Sequence, residues 1–160
     1  MVSRQKSDPT IRIEALTDAD VEAMAALARE IWYAHYPAII GTAQIEYMLA
    51  QRYGPATVRA ELARAGTWWD KLMIGPDMAG FASYFLAAPA GMKLDKLYVH
   101  PRHQRRGYGG RMIARASEAA RRQGCGRLTL AVNKNNARAI AAYLKHGFRV
   151  AGTVTQDIGG

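Results

Sequence analysis

The sequence predicts a single α/β domain, and three observations lead to this fold class. Apolar runs typical of strands alternate along the chain with segments whose apolar residues recur at helical spacing. One of these strands leads through a glycine-rich turn directly into a helix. The chain has 160 residues, of which 49% are hydrophobic, and is long enough to bury a sizeable core within one domain. We therefore expect residues 1–160 to form one domain in which residues 1–9 are flexible.

The N-terminal half is predicted to begin with a strand at residues 10–15 and to continue with three helices and a hairpin. The first helix is expected to end before Pro37, because a proline lacks an N–H and restricts the residue before it. Pro55 suits the first turn of the third helix, and Gly66 suits its C-terminal cap. The sequence Gly-Pro-Asp-Met at residues 75–78 predicts the turn of the hairpin. The helices and strands expected after the first helix are at residues 42–51, 55–65, 67–74 and 79–86.

The C-terminal half is organised around residues 93–112. Leu94, Leu97 and Val99 lie in an apolar run that is typical of a buried strand. Pro101 ends this strand because it has no backbone donor for a sheet ladder. A basic, glycine-rich turn then leads into an amphipathic helix. The remaining expected elements are a central strand at residues 127–132, a helix at 133–146 and a further strand at 148–153.

The strand, the glycine-rich turn and the helix that follows predict an anion-binding site. The first turn of a helix has unpaired N–H groups and the positive end of the helix dipole. Glycines let this backbone approach a bulky phosphate closely. Three arginines, Arg102, Arg105 and Arg106, flank the turn and can add charge-assisted hydrogen bonds. The ligand that this arrangement predicts is a pyrophosphate.

Positive charge is concentrated in the same half of the chain. Residues 1–92 contain 8 Lys and Arg against 10 Asp and Glu, whereas residues 93–160 contain 14 against 3. A nucleic acid would explain this excess, and so would a cofactor with several phosphate groups. Arginines on one face of a helix are also commonly a solvated surface, so charge alone does not decide between these interpretations.

Composition also indicates where the protein is located and whether it uses a metal ion or a cysteine nucleophile. The N-terminus lacks the apolar segment of a signal peptide, and no apolar stretch reaches the roughly 18 residues that span a bilayer. We expect a soluble, cytoplasmic protein without a membrane partner and without a metal ion. The single cysteine, Cys125, lies between two glycines and is interpreted as structural rather than as a nucleophile.

Two spaced motifs carry a resemblance to a known family. The pattern Gln104-x-x-Gly107-x-Gly109, after a strand ending in Tyr-Val-His-Pro, resembles the acyl-CoA-binding motif of the GNAT superfamily of N-acetyltransferases. The segment LAVNKNNARAIAAYLKHGF resembles a second part of the family, in which one Asn follows a strand and another opens the next helix. The matching positions there are Asn133, Asn136, Ala139, Tyr143, Lys145, Gly147 and Phe148. Together the motifs cover residues 94–148.

The resemblance implies a GNAT fold, with a mixed, mostly antiparallel central sheet flanked by helices. Strand 94–99 would splay away from strand 127–132 and open a cleft for the pantetheine arm of acetyl-CoA, which is the implied co-substrate. Backbone N–H groups near Leu97 and Val99 would bind the arm, one of them as the oxyanion donor, and the glycine-rich turn would hold the pyrophosphate. The cofactor-binding residues implied in this way are Leu97, Tyr98, Val99, Gln104, Arg105, Arg106, Gly107, Tyr108, Gly109, Gly110, Asn133, Asn136 and Tyr143.

The resemblance also implies catalytic residues. Tyr143 matches the family's usual general acid, and a phenol, with an ordinary pKa of about 10, can protonate a leaving thiolate. A core aromatic residue is the alternative for Tyr143, since it lies near the predicted buried face of its helix. Asp95 matches a position where relatives often carry a carboxylate and is the first candidate for the general base. His35 and His100 are weaker candidates, and water positioned by the backbone would need no side-chain base.

The acceptor is the least determined part of the predicted reaction. The pattern I-x-Y-M-L at residues 45–49 faintly resembles family members that acetylate polyamines and other small amines, so a small-molecule primary amine is favoured, attacking acetyl-CoA directly in a ternary complex. A protein N-terminus or lysine is the alternative acceptor, and the aromatic cluster of Tyr33, His35 and Tyr36 is either simple packing or a wall of the acceptor site. A non-catalytic acyl-CoA-binding regulatory module with nucleic acid contacts is the rival class.

The end of the chain departs from the family pattern. The family has another strand after residues 148–153, in a hairpin that completes the sheet, whereas this sequence stops at Gly160. We expect either that this last strand is lacking or that a partner chain supplies it, and a homodimer is therefore left open.

Overall fold

The computed structural model describes residues 9–36, 40–132 and 134–152. The expected flexibility of residues 1–9 falls outside these ranges except for Pro9, and so do the expectations for Asn133 and for the chain beyond Gly152. The strands are β1 Ile11–Ala15, β2 Thr67–Ile74, β3 Asp77–Ala87, β4 Gly91–Val99 and β5 Arg127–Leu130. The helices are α1 Val21–His35, α2 Thr42–Tyr53, α3 Pro55–Ala63, α4 Tyr108–Arg122 and α5 Ala137–Lys145.

The five strands form one mixed sheet in the order β1-β2-β3-β4-β5. The first four strands are antiparallel to their neighbours, and β5 is parallel to β4. Helices α1, α2 and α3 contribute to a core on one face of the sheet, and α4 contributes to a second core on the other face. The predicted α/β class, with a mixed and mostly antiparallel sheet, is confirmed.

Local sequence explains where several of these elements begin. Thr17 forms a capping box with Asp20 at the short 3₁₀ turn before α1, in which the Asp20 carboxylate accepts from the Thr17 backbone N–H at 2.8 Å. Pro55 occupies the first turn of α3, where its missing N–H has no cost. The hairpin between β2 and β3 turns at Gly75, whose φ of 57° is readily reached by glycine.

Strand β4 contains an extra residue in its middle. Ser83 of β3 pairs with Lys96, and the next residue, Tyr84, pairs with Leu94. Asp95 therefore has no partner on β3, which is the pattern of a β-bulge.

The bulge at Asp95 changes which side chains face each core. Before it, Leu94 belongs to the core beneath α4. After it, Leu97 and Val99 pack against that same core, whereas the side chain of Tyr98 packs on the opposite face of the sheet. Side chains along a strand alternate between the two faces of the sheet. One inserted residue therefore reverses the face to which each later side chain of β4 points.

Strand β4 pairs with β5 over only part of its length. Their ladder runs from Gly91 opposite Arg127 to Leu94 opposite Leu130. Residues 95–99 of β4 continue beyond this ladder without a partner on β5. The ladder stops one residue before the bulge, because β5 ends at Leu130. The splaying of the two strands that the resemblance implied stays a prediction.

Two expected strands differ from the structure. The strand expected to be central at residues 127–132 ends at Leu130 and is the outermost strand of the sheet in the part of the chain that is described. Residues 148–152 of the expected strand at 148–153 are not a strand, and Val150 is 78% exposed. Apolar residues favour a strand only where a neighbouring strand completes the ladder, and residues 148–152 pair with none of the described strands.

A buried carboxylate joins three strands to α4. Asp70 of β2 is 2% exposed, and its Oδ2 accepts from the hydroxyl of Tyr84 at 2.8 Å. Arg115 of α4 places its Nε 3.1 Å from the same oxygen and donates a second hydrogen bond to the carbonyl of Ile13 in β1. Burial raises the pKa of Asp70, and the hydrogen bonds and charge of Tyr84 and Arg115 only partly oppose it.

Replacing Asp70 by Asn should alter how stability depends on pH. A carboxyl whose pKa is raised on folding contributes stability that is present below its unfolded pKa and is lost as the pH rises through its folded pKa. The unfolding free energy of the wild type, relative to Asp70→Asn, should therefore fall as the pH rises from about 3 towards 7. Urea denaturation at several pH values measures this difference. Asp77→Asn, at an exposed position, should not reproduce it, and a difference that grows with pH would contradict the raised pKa.

Candidate active site

A cavity of about 220 Å³ lies beside the part of β4 that extends beyond β5. Its walls come from the C-terminal half of β4, the start of α4 and one face of α5. The lining is mostly apolar with a few polar groups, which is the usual composition of a small-molecule site. The lining residues are Leu97, Val99, Gln104, Gly109, Ile113, Ala142, Tyr143 and His146.

The glycine-rich turn closes one end of this cavity. The side-chain amide of Gln104 donates to the carbonyl of Val99 at 3.1 Å and so ties the turn to the end of β4. Gly107 caps α4 with a φ of 81°, a left-handed conformation that favours glycine. The amides of Tyr108, Gly109 and Gly110 belong to the first turn of α4 and have no acceptor within the helix. They lie at the positive end of its dipole.

The charged residues of the turn are accessible to a ligand. Arg105 and Arg106 are both exposed, and Arg105 has a φ of 65°. Tyr108 is half-buried and packs against the core beneath α4, so its backbone rather than its ring belongs to the turn. The turn therefore combines helical amides with two exposed positive charges, which is a suitable arrangement for a phosphate group.

Tyr143 reaches the cavity from α5. Its ring packs edge-on against Phe148 with the ring centroids 5.7 Å apart, so it has a packing role as well as a place in the cavity wall. Burial raises the pKa of Tyr143, and the nearby hydroxyl of Tyr36 adds to the effect. The phenol is therefore protonated at neutral pH and can act as a proton donor.

One of the two asparagines expected at the cofactor, Asn136, has a structural role at the start of α5. Asn136 caps α5, because its side-chain oxygen accepts from the backbone N–H of Ala139 at 3.1 Å. It is not among the residues that line the cavity. Asn133 lies outside the described residues. Contacts of either residue with a cofactor stay predictions.

Asp95 lies at the bulge, but its carboxylate does not line the cavity. Its Oδ1 lies 2.9 Å from Arg52 Nη2 of α2, and its Oδ2 lies 2.6 Å from Lys96 Nζ. Burial would raise the pKa of Asp95, but the charges and hydrogen bonds of Lys96 and Arg52, with a contribution from Lys93, outweigh it and hold the pKa below its ordinary value.

The other candidate bases lie elsewhere. His35 is exposed near the end of α1 and packs edge-on against Tyr36. His100 accepts a hydrogen bond from the backbone N–H of Arg102, and its Nε2 lies 3.5 Å from Glu30 Oε2. It lines a separate cavity of about 290 Å³ between α1 and the start of β3. Neither histidine is part of the cavity beside β4.

Three lining residues were not expected from the sequence, namely Ile113, Ala142 and His146. His146 also packs closely on the start of α4, since a Cβ added at Gly110 would lie 2.6 Å from its Cε1. His146 follows Tyr143 by three residues, and this helical spacing was the available signal that both side chains share one face.

The described residues provide two further observations. None of their helices is long and apolar enough to cross a membrane. Within the same ranges, no group of three or more His, Cys, Asp and Glu side chains is placed to hold a metal ion.

Comparison with known proteins relates this geometry to a family. Residues 21–148 match the model of the acetyltransferase (GNAT) family. The chain is similar to a curated spermidine N(1)-acetyltransferase of Thermoplasma acidophilum, with 26% identity over 152 residues that cover 92% of this chain and 94% of the relative.

Solved structures share the fold. The PaiA N-acetyltransferase of Thermoplasma acidophilum, in complex with coenzyme A, superposes with a TM-score of 0.84 at 23% identity and covers 91% of this chain and 93% of its own. An aminoglycoside N-acetyltransferase in complex with CoA superposes with a TM-score of 0.76 at 15% identity, with 96% and 97% covered.

Proposed function

The chain belongs to the acetyltransferase (GNAT) family and is an acetyl-CoA-dependent N-acetyltransferase, and we propose that it acetylates a small-molecule primary amine. The observation that carries the proposal is the cavity between β4 and α5, which continues into the glycine-rich turn at the start of α4. The curated relative that matches over nearly the whole chain is named for spermidine, which supports a small amine as acceptor. A protein N-terminus or lysine is the alternative acceptor.

In this proposal the cofactor spans the cavity and the turn. The amides of Tyr108, Gly109 and Gly110, together with Arg105 and Arg106, bind the pyrophosphate. The pantetheine arm lies between β4 and α5 and bonds to the backbone of residues 97–99, in place of the missing strand partner. Only the backbone of Tyr98 takes part, because its side chain packs on the other face of the sheet.

The proposed reaction is a direct transfer within a ternary complex. The neutral amine nitrogen attacks the thioester carbonyl, and a backbone N–H of β4 stabilises the negative charge on the carbonyl oxygen. The carbon–sulfur bond then breaks, and the hydroxyl of Tyr143 protonates the leaving thiolate of CoA. The proton lost by the amine passes to water, and water returns a proton to Tyr143. The protonated state of Tyr143 supports its role as the acid.

The rival proposals are separable by measurement. A polyphosphate cofactor at the turn would explain positive charge in residues 93–160 without nucleic acid binding. Nucleic acid affinity that falls steeply with salt would support the regulatory module instead. A single domain over residues 1–160, a cytoplasmic location and a homodimer stay predictions.

Calorimetric titration tests the cofactor site, and an amine screen tests the reaction. Acetyl-CoA should bind saturably and more tightly than dephospho-CoA or NADH. Replacing Gly107 by a bulky residue should weaken this binding, because its φ of 81° is strained for any other side chain.

Turnover of polyamines or aminoglycosides, but not of peptides, would support the small-amine acceptor, and turnover of peptides alone would overturn it.

Tyr143→Phe should separate chemistry from binding. Loss of the hydroxyl removes the proposed proton donor, so kcat should fall about 100-fold while the Kd for acetyl-CoA changes less than about threefold. Steady-state kinetics and calorimetry measure the two quantities. Glu118→Gln, which removes a surface carboxylate of α4 that pairs with Arg121 and Arg122, is the control and should leave both unchanged. An unchanged kcat in Tyr143→Phe with a verified acceptor would reject the acid role.

Gly110→Ala should weaken cofactor binding without unfolding the protein. The new Cβ would displace the ring of His146, which lines the cavity, and the Kd for acetyl-CoA should rise about tenfold. Gly126→Ala is the control, because nothing lies within 4 Å of its added Cβ. The double variant Gly110→Ala/His146→Ala should bind at least as tightly as His146→Ala alone. Additive losses would show that the two residues are not coupled.

A further inference from the structure

The extra residue of β4 is held by charged side chains from two elements. Arg52 reaches Asp95 from α2, and its Nη2 donates to Asp95 Oδ1 at 2.9 Å. Lys96, the next residue of β4, donates to the other carboxylate oxygen at 2.6 Å. Both oxygens of the carboxylate therefore accept from cations, and the ion pair with Arg52 fixes the bulge to a helix on the opposite side of the sheet from α4.

Lys96 is itself fixed in an aromatic environment. Its side chain is 2% exposed, and its Nζ lies 4.9 Å from the centroid of the Trp69 ring and 5.7 Å from that of Tyr53. A second carboxylate, Glu61 of α3, lies 3.7 Å from Nζ and accepts from the indole N–H of Trp69 at 2.7 Å. A buried cation with two carboxylates and two ring faces around it has little freedom to move.

We propose that Arg52 and Lys96 are positioning residues that act through Asp95, fixing the bulge so that the β4 backbone beyond it receives the acetyl group. This inference rests on the proposed function and gives Asp95 a structural part in it, in place of the role of general base. The consequence is geometric. If the bulge relaxed by one residue, Leu97 and Val99 would turn away from the cavity.

The surroundings of Asp95 disfavour proton abstraction. The positive groups that act on it are Lys96, Arg52 and Lys93, and the negative Glu61 lies 3.7 Å from Lys96 Nζ. A carboxylate whose pKa is held below its ordinary value is a weak base near neutral pH. Both of its oxygens are already engaged as acceptors. The same contacts suit a residue whose task is to hold the backbone.

The first test removes Arg52. Arg52→Met should lower kcat about 10- to 100-fold, because a small misplacement of the reacting group is costly, while KM for acetyl-CoA changes less than about threefold. The acidic limb of the pH profile of kcat/KM should stay where it is. If Asp95 were the base, the loss of the Arg52 charge would raise its pKa and move that limb to higher pH. Arg52→Lys should recover part of kcat. The matched control is Arg59→Met, which removes a surface arginine that pairs with Asp18 and Glu22.

The second test changes Asp95 itself. Asp95→Asn keeps an oxygen that can accept from Arg52, so the variant should retain the acidic limb of the profile. A general base would behave differently, since its loss would abolish that limb and cost about 100-fold or more in kcat/KM. The proposal would be overturned if Asp95→Asn lost the acidic limb, or if that limb moved to higher pH in Arg52→Met. If Arg52→Met failed to fold, the Asp95→Asn profile alone would decide.

Hydrogen exchange gives a measurement that needs no acceptor. Exchange of the backbone amides of residues 95–99 in the free protein should be about tenfold faster in Arg52→Met than in the wild type or in Arg59→Met. Absence of turnover with every amine tested would count against the proposed function. It would not affect the exchange measurement, which is made on the free protein. Unchanged exchange, or an unchanged kcat in Arg52→Met with a verified acceptor, would overturn the positioning role.

Discussion

The extension of β4 beyond β5 is the constraint on which the rest of the structure depends. A sheet normally pairs every inner strand on both sides, yet among the described strands residues 96–99 pair with β3 alone, and Asp95 at the bulge pairs with neither neighbour. An unpaired backbone group that is withdrawn from water costs roughly 1 to 3 kcal/mol. The open edge is therefore stable only if water or a ligand satisfies it, and a pantetheine arm with its own amides is a suitable ligand. In the proposed function, the backbone groups left without this ladder are the ones that bind the cofactor.

The two faces of the sheet support this opening in different ways. On one face, the aromatic core that includes Trp32, Tyr53, Trp69 and Phe81 packs beneath the bulge and holds the charged pair of Asp95 and Lys96. On the other face, the small side chains of α4, among them Ala116 and Ala120, are buried against the sheet. Close packing of this helix brings its N-terminus to the end of β4. The aromatic core thus packs against one face of β4. The small side chains of α4 let the helix lie close to the other face, with its N-terminal amides near the end of β4.

The order of the elements as far as α5 was predictable, whereas the strand expected after α5 and the contacts that shape the site were not. Turn and cap residues such as Pro55 and Gly107 act locally, so their effects can be read from the sequence. The bulge at Asp95 cannot be read in this way, because a strand with one inserted residue keeps the same composition, and only pairing with Ser83 and Tyr84 reveals it. The burial of Lys96 depends on Glu61 and Trp69, which come from other elements. The length of β5 likewise depends on its neighbour rather than on its own apolar residues.

Helix α5 shows how the cofactor can contribute to the fold as well as to the reaction. None of its residues, all of which the structure describes, is fully buried. Its contact with the rest of the protein includes Tyr143 beside the core under α4, and the cavity lies between it and β4. A ligand that fills this cavity adds contacts to α5 that the free protein lacks, and binding to the folded state alone stabilises it. Tyr143, the proposed general acid, would then be brought to its working position by the same molecule that it protonates.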